Sequence, residues 1–191
     1  MRKLYLIFLI PIVLLFSGCN NEDESAAIVI KDSQSFKDLK QQSNTEYKLK
    51  TIQGKDITLT VDNGVLKSND AELKNKMVLI NFWATWCPPC VKEIPVLNRL
   101  YDDYKNDFVV IGVLYEKDKN LDELRAFMQE HNMKFPVSIN GDENFRMAKN
   151  INNVKKIPES YLYGKDGKIV EKYIGLVDEE SLENHIKSSI K

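Results

Sequence analysis

Met77-Val78-Leu79-Ile80-Asn81-Phe82-Trp83 is a nearly continuous apolar run, and the pattern changes period at Trp86-Cys87-Pro88-Pro89-Cys90. Beyond it Val91, Ile94, Leu97, Tyr101 and Tyr104 recur at three- and four-residue spacing. A run apolar on both faces predicts a central strand, and the following period predicts an amphipathic helix. Two cysteines therefore stand where a buried strand turns into a helix, and little else in the chain is as restrictive.

The rest of the chain extends this unit. Ile57, Leu59 and Val61 alternate before the turn Asp62-Asn63-Gly64, so a strand there returns at Val65 and Leu66. Phe108 to Leu114 is a second buried strand, with Gly112 marking a close backbone approach. Asn120 and Glu123 open a helix with Leu121, Leu124, Phe127 and Met128 inward. A strand over Phe135 to Ile139 and a helix over Asn144 to Ile151 follow. Glu159 to Tyr163 and Lys168 to Ile174 flank Gly164-Lys165-Asp166-Gly167 as a hairpin, and Asp178 caps a last helix. From Met77 the order is β-α-β-α-β-α-β-β-α, which predicts one α/β domain with a parallel core and an antiparallel edge.

The N-terminus reads as an export signal. Arg2 and Lys3 precede the thirteen-residue run Leu4 to Phe16, short of the roughly 20 residues a spanning helix needs. Leu15-Phe16-Ser17-Gly18-Cys19 resembles the lipobox of bacterial lipoproteins, although Phe16 stands where leucine is commoner. That resemblance implies a signal peptide over 1–18 and a lipid on Cys19; the alternatives are an ordinary secretory peptide or an uncleaved anchor. Residues 19–47 read as a polar tether with a marginal helix around Phe36 to Leu39, and 48–191 as the folded domain. Without the leader 25 basic side chains face 28 acidic ones, a formal −3. Nothing in that balance attracts nucleic acid or grips a membrane electrostatically.

With Cys19 assigned to lipid, Cys87 and Cys90 are the only other cysteines, so the pair reads as chemical rather than as a disulfide framework. At a helix N-terminus free backbone N–H groups stabilise a thiolate, and prolines are tolerated there. Cys87 is expected to be the exposed attacking thiol and Cys90, one turn in, the resolving one. The direction of electron flow is open at this spacing. Zinc would want further ligands, and His131 and His185 stand alone and far off. A structural bridge across so small a loop stabilises little. A copper-binding or redox-sensing module without turnover is the alternative in another class. No cofactor is expected beyond the redox-active pair, and no Gly-x-Gly-x-x-Gly occurs.

Asn81-Phe82-Trp83-Ala84-Thr85-Trp86-Cys87-Pro88-Pro89-Cys90, followed by Glu93-Ile94-Pro95, resembles the membrane-attached thioredoxin-like proteins of the TlpA/ResA type in their lipoprotein form. The resemblance runs from about Ile52 through Lys187. It implies a thioredoxin-like fold: a central mixed sheet flanked by helices, an N-terminal hairpin, and an inserted helix–strand unit over Leu121 to Ile139. It also implies an extracytoplasmic reductant of partner disulfides, often those of apocytochrome c, recharged by a membrane electron carrier of the CcdA/DsbD kind. The opposite activity, inserting disulfides into exported proteins, is the runner-up. The chain is expected to act as a monomer.

Glu93, three positions after Cys90, lies on nearly the same side of the helix, and a partly buried carboxylate there could exchange a proton with Cys90. The family places an acid at this position, whereas thioredoxins proper use an aspartate in the preceding strand, where this chain has Asn81. Pro95 should kink the helix. The resemblance further implies a cis Ile157–Pro158 bond, with the Ile157 backbone offered to the substrate chain. Trp86, Pro88 and Pro89 complete the expected substrate-facing set, with Trp83 as core.

Overall fold

The computed structural model describes Ile28, Val29 and residues 45–190. The expected leader, the lipidation site Cys19 and the helix around Phe36 to Leu39 lie outside the described residues.

Strand β1 is Ile28–Val29, followed by β2 (Thr45–Lys50), β3 (Asp56–Asp62) and β4 (Val65–Ser68). The core unit is β5 (Met77–Trp83), α1 (Pro88–Asp103), β6 (Phe108–Leu114), α2 (Leu121–Glu130), β7 (Val137–Ser138) and α3 (Gly141–Asn152). It closes with β8 (Glu159–Tyr163), β9 (Ile169–Ile174) and α4 (Glu179–Ile190). Two sheets result: a six-stranded one in the order β1-β9-β8-β5-β6-β7, and a three-stranded one in the order β2-β3-β4. Strands β5, β6 and β7 are parallel, while β8 pairs antiparallel with β5 and β9.

The side-chain alternation of β5 and β6 divides the interior. Leu79, Trp83, Val110 and Leu114 meet Leu97 and Leu100 of α1, Leu124 of α2, and Leu182 and Ile186 of α4. On the opposite face Ile80, Phe82, Ile111 and Val113 meet Met147 and Ala148 of α3 and the inward row Leu49, Leu59 and Val61 of the small sheet. Every residue of β5 and β6 is buried, as a strand covered on both faces requires.

Local chemistry sets the boundaries. The Asn120 side chain accepts the N–H groups of Asp122 (2.9 Å) and Glu123 (3.1 Å). Asp178 accepts that of Ser181 at 2.7 Å, with Val177 and Leu182 both buried behind it. The Gly164–Gly167 turn closes through two 2.8 Å backbone bonds and docks on the small sheet, where Leu66 N–H donates to the Gly167 carbonyl.

Two expectations need adjusting. Strand β2 begins at Thr45, inside the stretch read as tether, and its alternating burial anchors Tyr47 and Leu49 in the core. The strand expected over Phe135 to Ile139 shrinks to Val137–Ser138. Pro136 has no N–H for a ladder. The backbone then turns to the N-terminal unit, with Ile52 N–H donating to the Val137 carbonyl and Ile139 N–H to that of Lys50. Pro95 lies within a helix that continues to Asp103.

Gly112 is the close approach its residue type suggests. A Cβ there would stand 2.9 Å from Trp83 Nε1 and 3.1 Å from Phe135 Cε2. Trp83 is 1% exposed and its ring packs on Phe127 at 5.8 Å, so it has no free space to retreat into. Gly112→Ala is expected to cost about 2 kcal/mol, from overpacking under the strand that leads to the cysteines. Urea unfolding of the two chains measures it.

Candidate active site

The C-terminal end of β5 delivers the chain into a turn in which Cys87 N–H donates to the Ala84 carbonyl at 3.3 Å. A carboxylate oxygen of Glu116, from the segment after β6, accepts the Thr85 N–H and ties this turn down. Cys87 is the N-cap of α1. Pro88 and Pro89 have no N–H, so the first donor of the helix is Cys90 N–H, and it donates to Cys87 Sγ at 3.3 Å. No acidic residue stands in the first turn of α1 to oppose a negative sulfur.

Cys87 and Cys90 form a disulfide with Cα atoms 5.3 Å apart. Contrary to the expected exposed thiol, Cys87 is only 4% exposed, against 1% for Cys90. The covering comes from the segment that leads into the neighbouring strand β8. The Ile157–Pro158 bond is cis, and the Ile157 carbonyl oxygen lies 3.7 Å from Cys87 Sγ. Pro158 is buried and Ile157 half-buried, while Pro88 and Pro89 are exposed. Trp86 is 66% exposed, an unusual position for so large an apolar group. The site is therefore a buried sulfur under an apolar rim.

Glu93 lies one turn past Cys90 and is 3% exposed. Its Oε1 accepts from Asn81 Nδ2 at 2.7 Å, and its Oε2 from the Val177 N–H at 3.2 Å. Asn81 also donates to Ser160 Oγ at 2.9 Å, consistent with the β5–β8 register that sets those residues opposite each other. Burial raises the carboxyl from 4.5 to about 7, and the bonds from Asn81 and Val177 pull the other way without cancelling it. Glu93 thus changes charge near neutrality inside the core.

Sequence reasoning named Cys87, Cys90, Glu93, Ile157 and Pro158, and the fold brings Ile157 against Cys87 across a separation of 70 residues. It missed the Asn81, Ser160 and Val177 setting of Glu93 and the Glu116 tie. The one available signal was an asparagine inside an apolar strand, since a buried amide needs partners. Among the described residues no three His, Cys, Asp or Glu side chains gather as a metal site would require, and no helix is long and apolar enough to cross a membrane.

The family model for Redoxin matches residues 31–186. The chain is 40% identical over 116 residues to the thiol-disulfide oxidoreductase ResA of Bacillus anthracis; this covers 61% of the chain and 65% of the relative, just under two-thirds of its length. Against ResA of Bacillus cereus strain ATCC 10987 / NRS 248 it is 31% identical over 190 residues, covering 98% of both. Among solved structures it is similar to StoA from Bacillus subtilis, with a TM-score of 0.56 and 25% identity over 73% of this chain and 95% of that one.

Proposed function

The chain belongs to the Redoxin family, and from that premise we propose that it is an extracytoplasmic thiol–disulfide oxidoreductase working as a reductant of partner proteins. The observation that carries this is the Cys87–Cys90 disulfide capping α1 with the Ile157 carbonyl against its outer sulfur.

In the reduced state the Cys87 thiolate, held by the Cys90 N–H and the α1 N-terminus, attacks one sulfur of a partner disulfide. A mixed disulfide forms, and the other partner sulfur leaves as a thiolate. The Cys90 thiol loses its proton and attacks Cys87 Sγ, which releases the second partner thiolate and regenerates the Cys87–Cys90 bond. Two electrons have then passed to the partner. Glu93, ionising near 7 one turn below, is suited to take the Cys90 proton and return it on reduction. Ile157 and the Pro158 turn offer an extended backbone edge to the partner segment, and Trp86, Pro88 and Pro89 form its apolar landing surface.

An oxidising compartment cannot keep this dithiol reduced, so a membrane carrier of the CcdA/DsbD kind resupplies electrons. A lipid on Cys19 holds the protein to the membrane, and partner disulfides of the apocytochrome c kind are its substrates. The pair itself is the redox group, without a separate cofactor.

Equilibration with glutathione tests the direction. A reduction potential below about −200 mV is expected, and one near −120 mV would make the protein an oxidant instead. Trp86→Ala is expected to slow exchange with a peptide disulfide about three- to tenfold while shifting stability by less than about 0.5 kcal/mol, because the side chain is mostly in solvent. Stopped-flow tryptophan fluorescence, with Trp83 as reporter, and urea unfolding read the two quantities.

A further inference from the structure

The segment between α3 and the cis proline carries Lys155 and Lys156, both exposed, and neither makes an ion pair or hydrogen bond with another described residue. They line an open groove of about 520 Å³ together with Lys172 and Glu159. Glu159 is the one acid in that lining, and it is already engaged. Lys172 Nζ lies 3.0 Å from its Oε1, and the Tyr161 hydroxyl donates to the same oxygen. Three lysines against one glutamate leave the groove with a formal +2, in a chain whose formal net charge is −1.

Position gives this charge a use. Lys156 is one peptide unit, about 3.8 Å between Cα atoms, from Ile157, whose carbonyl covers Cys87 Sγ. A partner segment laid extended from Ile157 toward Lys155 would advance about 3.4 Å per residue, which would bring side chains two to four positions from its attacked cysteine to Lys155 and Lys156. Lys92, exposed in α1 two residues after Cys90, adds a further charge of the same sign. We propose that this basic groove selects partner segments carrying aspartate or glutamate within about four residues of the disulfide to be reduced. The proposal rests on the oxidoreductase reading and specifies its substrate class.

Three versions of one disulfide-bearing peptide, with acidic, neutral or basic flanks, separate the possibilities when reacted with the reduced full-length protein at low and high salt. At low salt the acidic version is expected to react about tenfold faster than the basic one, and the ratio is expected to fall toward one as salt screens the groove. Lys155→Ser with Lys156→Ser should collapse that ratio, and Lys155→Glu with Lys156→Glu should invert it. Equal rates for the three peptides in the native chain would overturn the groove while leaving the oxidoreductase reading intact. Fluorescence anisotropy of an acidic peptide with serines in place of its cysteines is a second readout. Salt-sensitive binding that weakens in the serine variant would sustain the groove even if no peptide were reduced, an outcome that would remove the oxidoreductase reading alone. If the lysines instead governed binding to vesicles of anionic lipid while the peptides reacted equally, the groove would face a membrane and the proposal would fall.

Discussion

A Cys90→Ser chain mixed with a disulfide-bearing peptide is expected to stop at a stable mixed disulfide through Cys87, and Cys87→Ser to capture nothing. The asymmetry follows from α1. The N-terminal N–H that can stabilise a thiolate points at Cys87 Sγ, and Ile157 offers a partner backbone beside that same sulfur. Cys90 sits a turn deeper and is bonded to Cys87, so the bond it is placed to attack is the one at that neighbouring sulfur. Removing Cys90 turns the release step from an intramolecular attack into a reaction with external thiol. Intramolecular attack can correspond to effective concentrations of about 10⁵ M or more in favourable geometry, so turnover should fall by at least about a thousandfold. Mass spectrometry under non-reducing conditions reads the adduct directly, and tryptic mapping assigns its sulfur.

The second large effect is in stability against pH. Glu93 titrates near 7 in the folded chain and near 4.5 once exposed. The folded state therefore holds this proton more tightly, and the contribution is fully present below about pH 4.5. It is lost progressively as pH rises to about 7, and is flat above. A shift of this size corresponds to about 3 kcal/mol. Glu93→Gln cannot ionise and should lack this decline, although its amide must set one donor against either Asn81 or Val177. The difference between the two oxidised chains, measured by urea unfolding from pH 4.5 to 8, isolates the group from other carboxylates. Glu183, the most strongly lowered of these, titrates near 2, outside that window. If the two profiles run parallel, Glu93 is not the buried neutral acid the core requires.

The strand–helix order was readable because its signals are local. Six apolar residues in a run of seven, a change of period at Cys87, and Asn120 and Asp178 before two of the later helices are all short-range facts. Strand β7 was overdrawn because a proline and the bonds from Ile52 and Lys50 decide its ends, and those bonds come from a sheet some 85 residues away. The start of β2 was missed for a related reason: Tyr47 and Leu49 are flanked by charges and show alternation only once a facing strand gives them an inside. At the site, the cysteine spacing and the carboxylate one turn on were visible. That Cys87 would be covered was not, because the cover is the backbone carbonyl of Ile157, and side-chain pattern carries no information about where a carbonyl points.

Buried as it is, Cys87 is the reactive sulfur by virtue of the Cys90 N–H aimed at it and its place at the start of α1 rather than by open exposure. The direct measurement is the pH dependence of alkylation in the reduced protein, with each cysteine followed separately by mass spectrometry. Cys87 should react first and titrate below the ~8.5 of a free thiol, with Cys90 protected at every pH where the fold holds. A Cys87 that ionises at or above that value, or a Cys90 that alkylates faster, would contradict the assignment of roles.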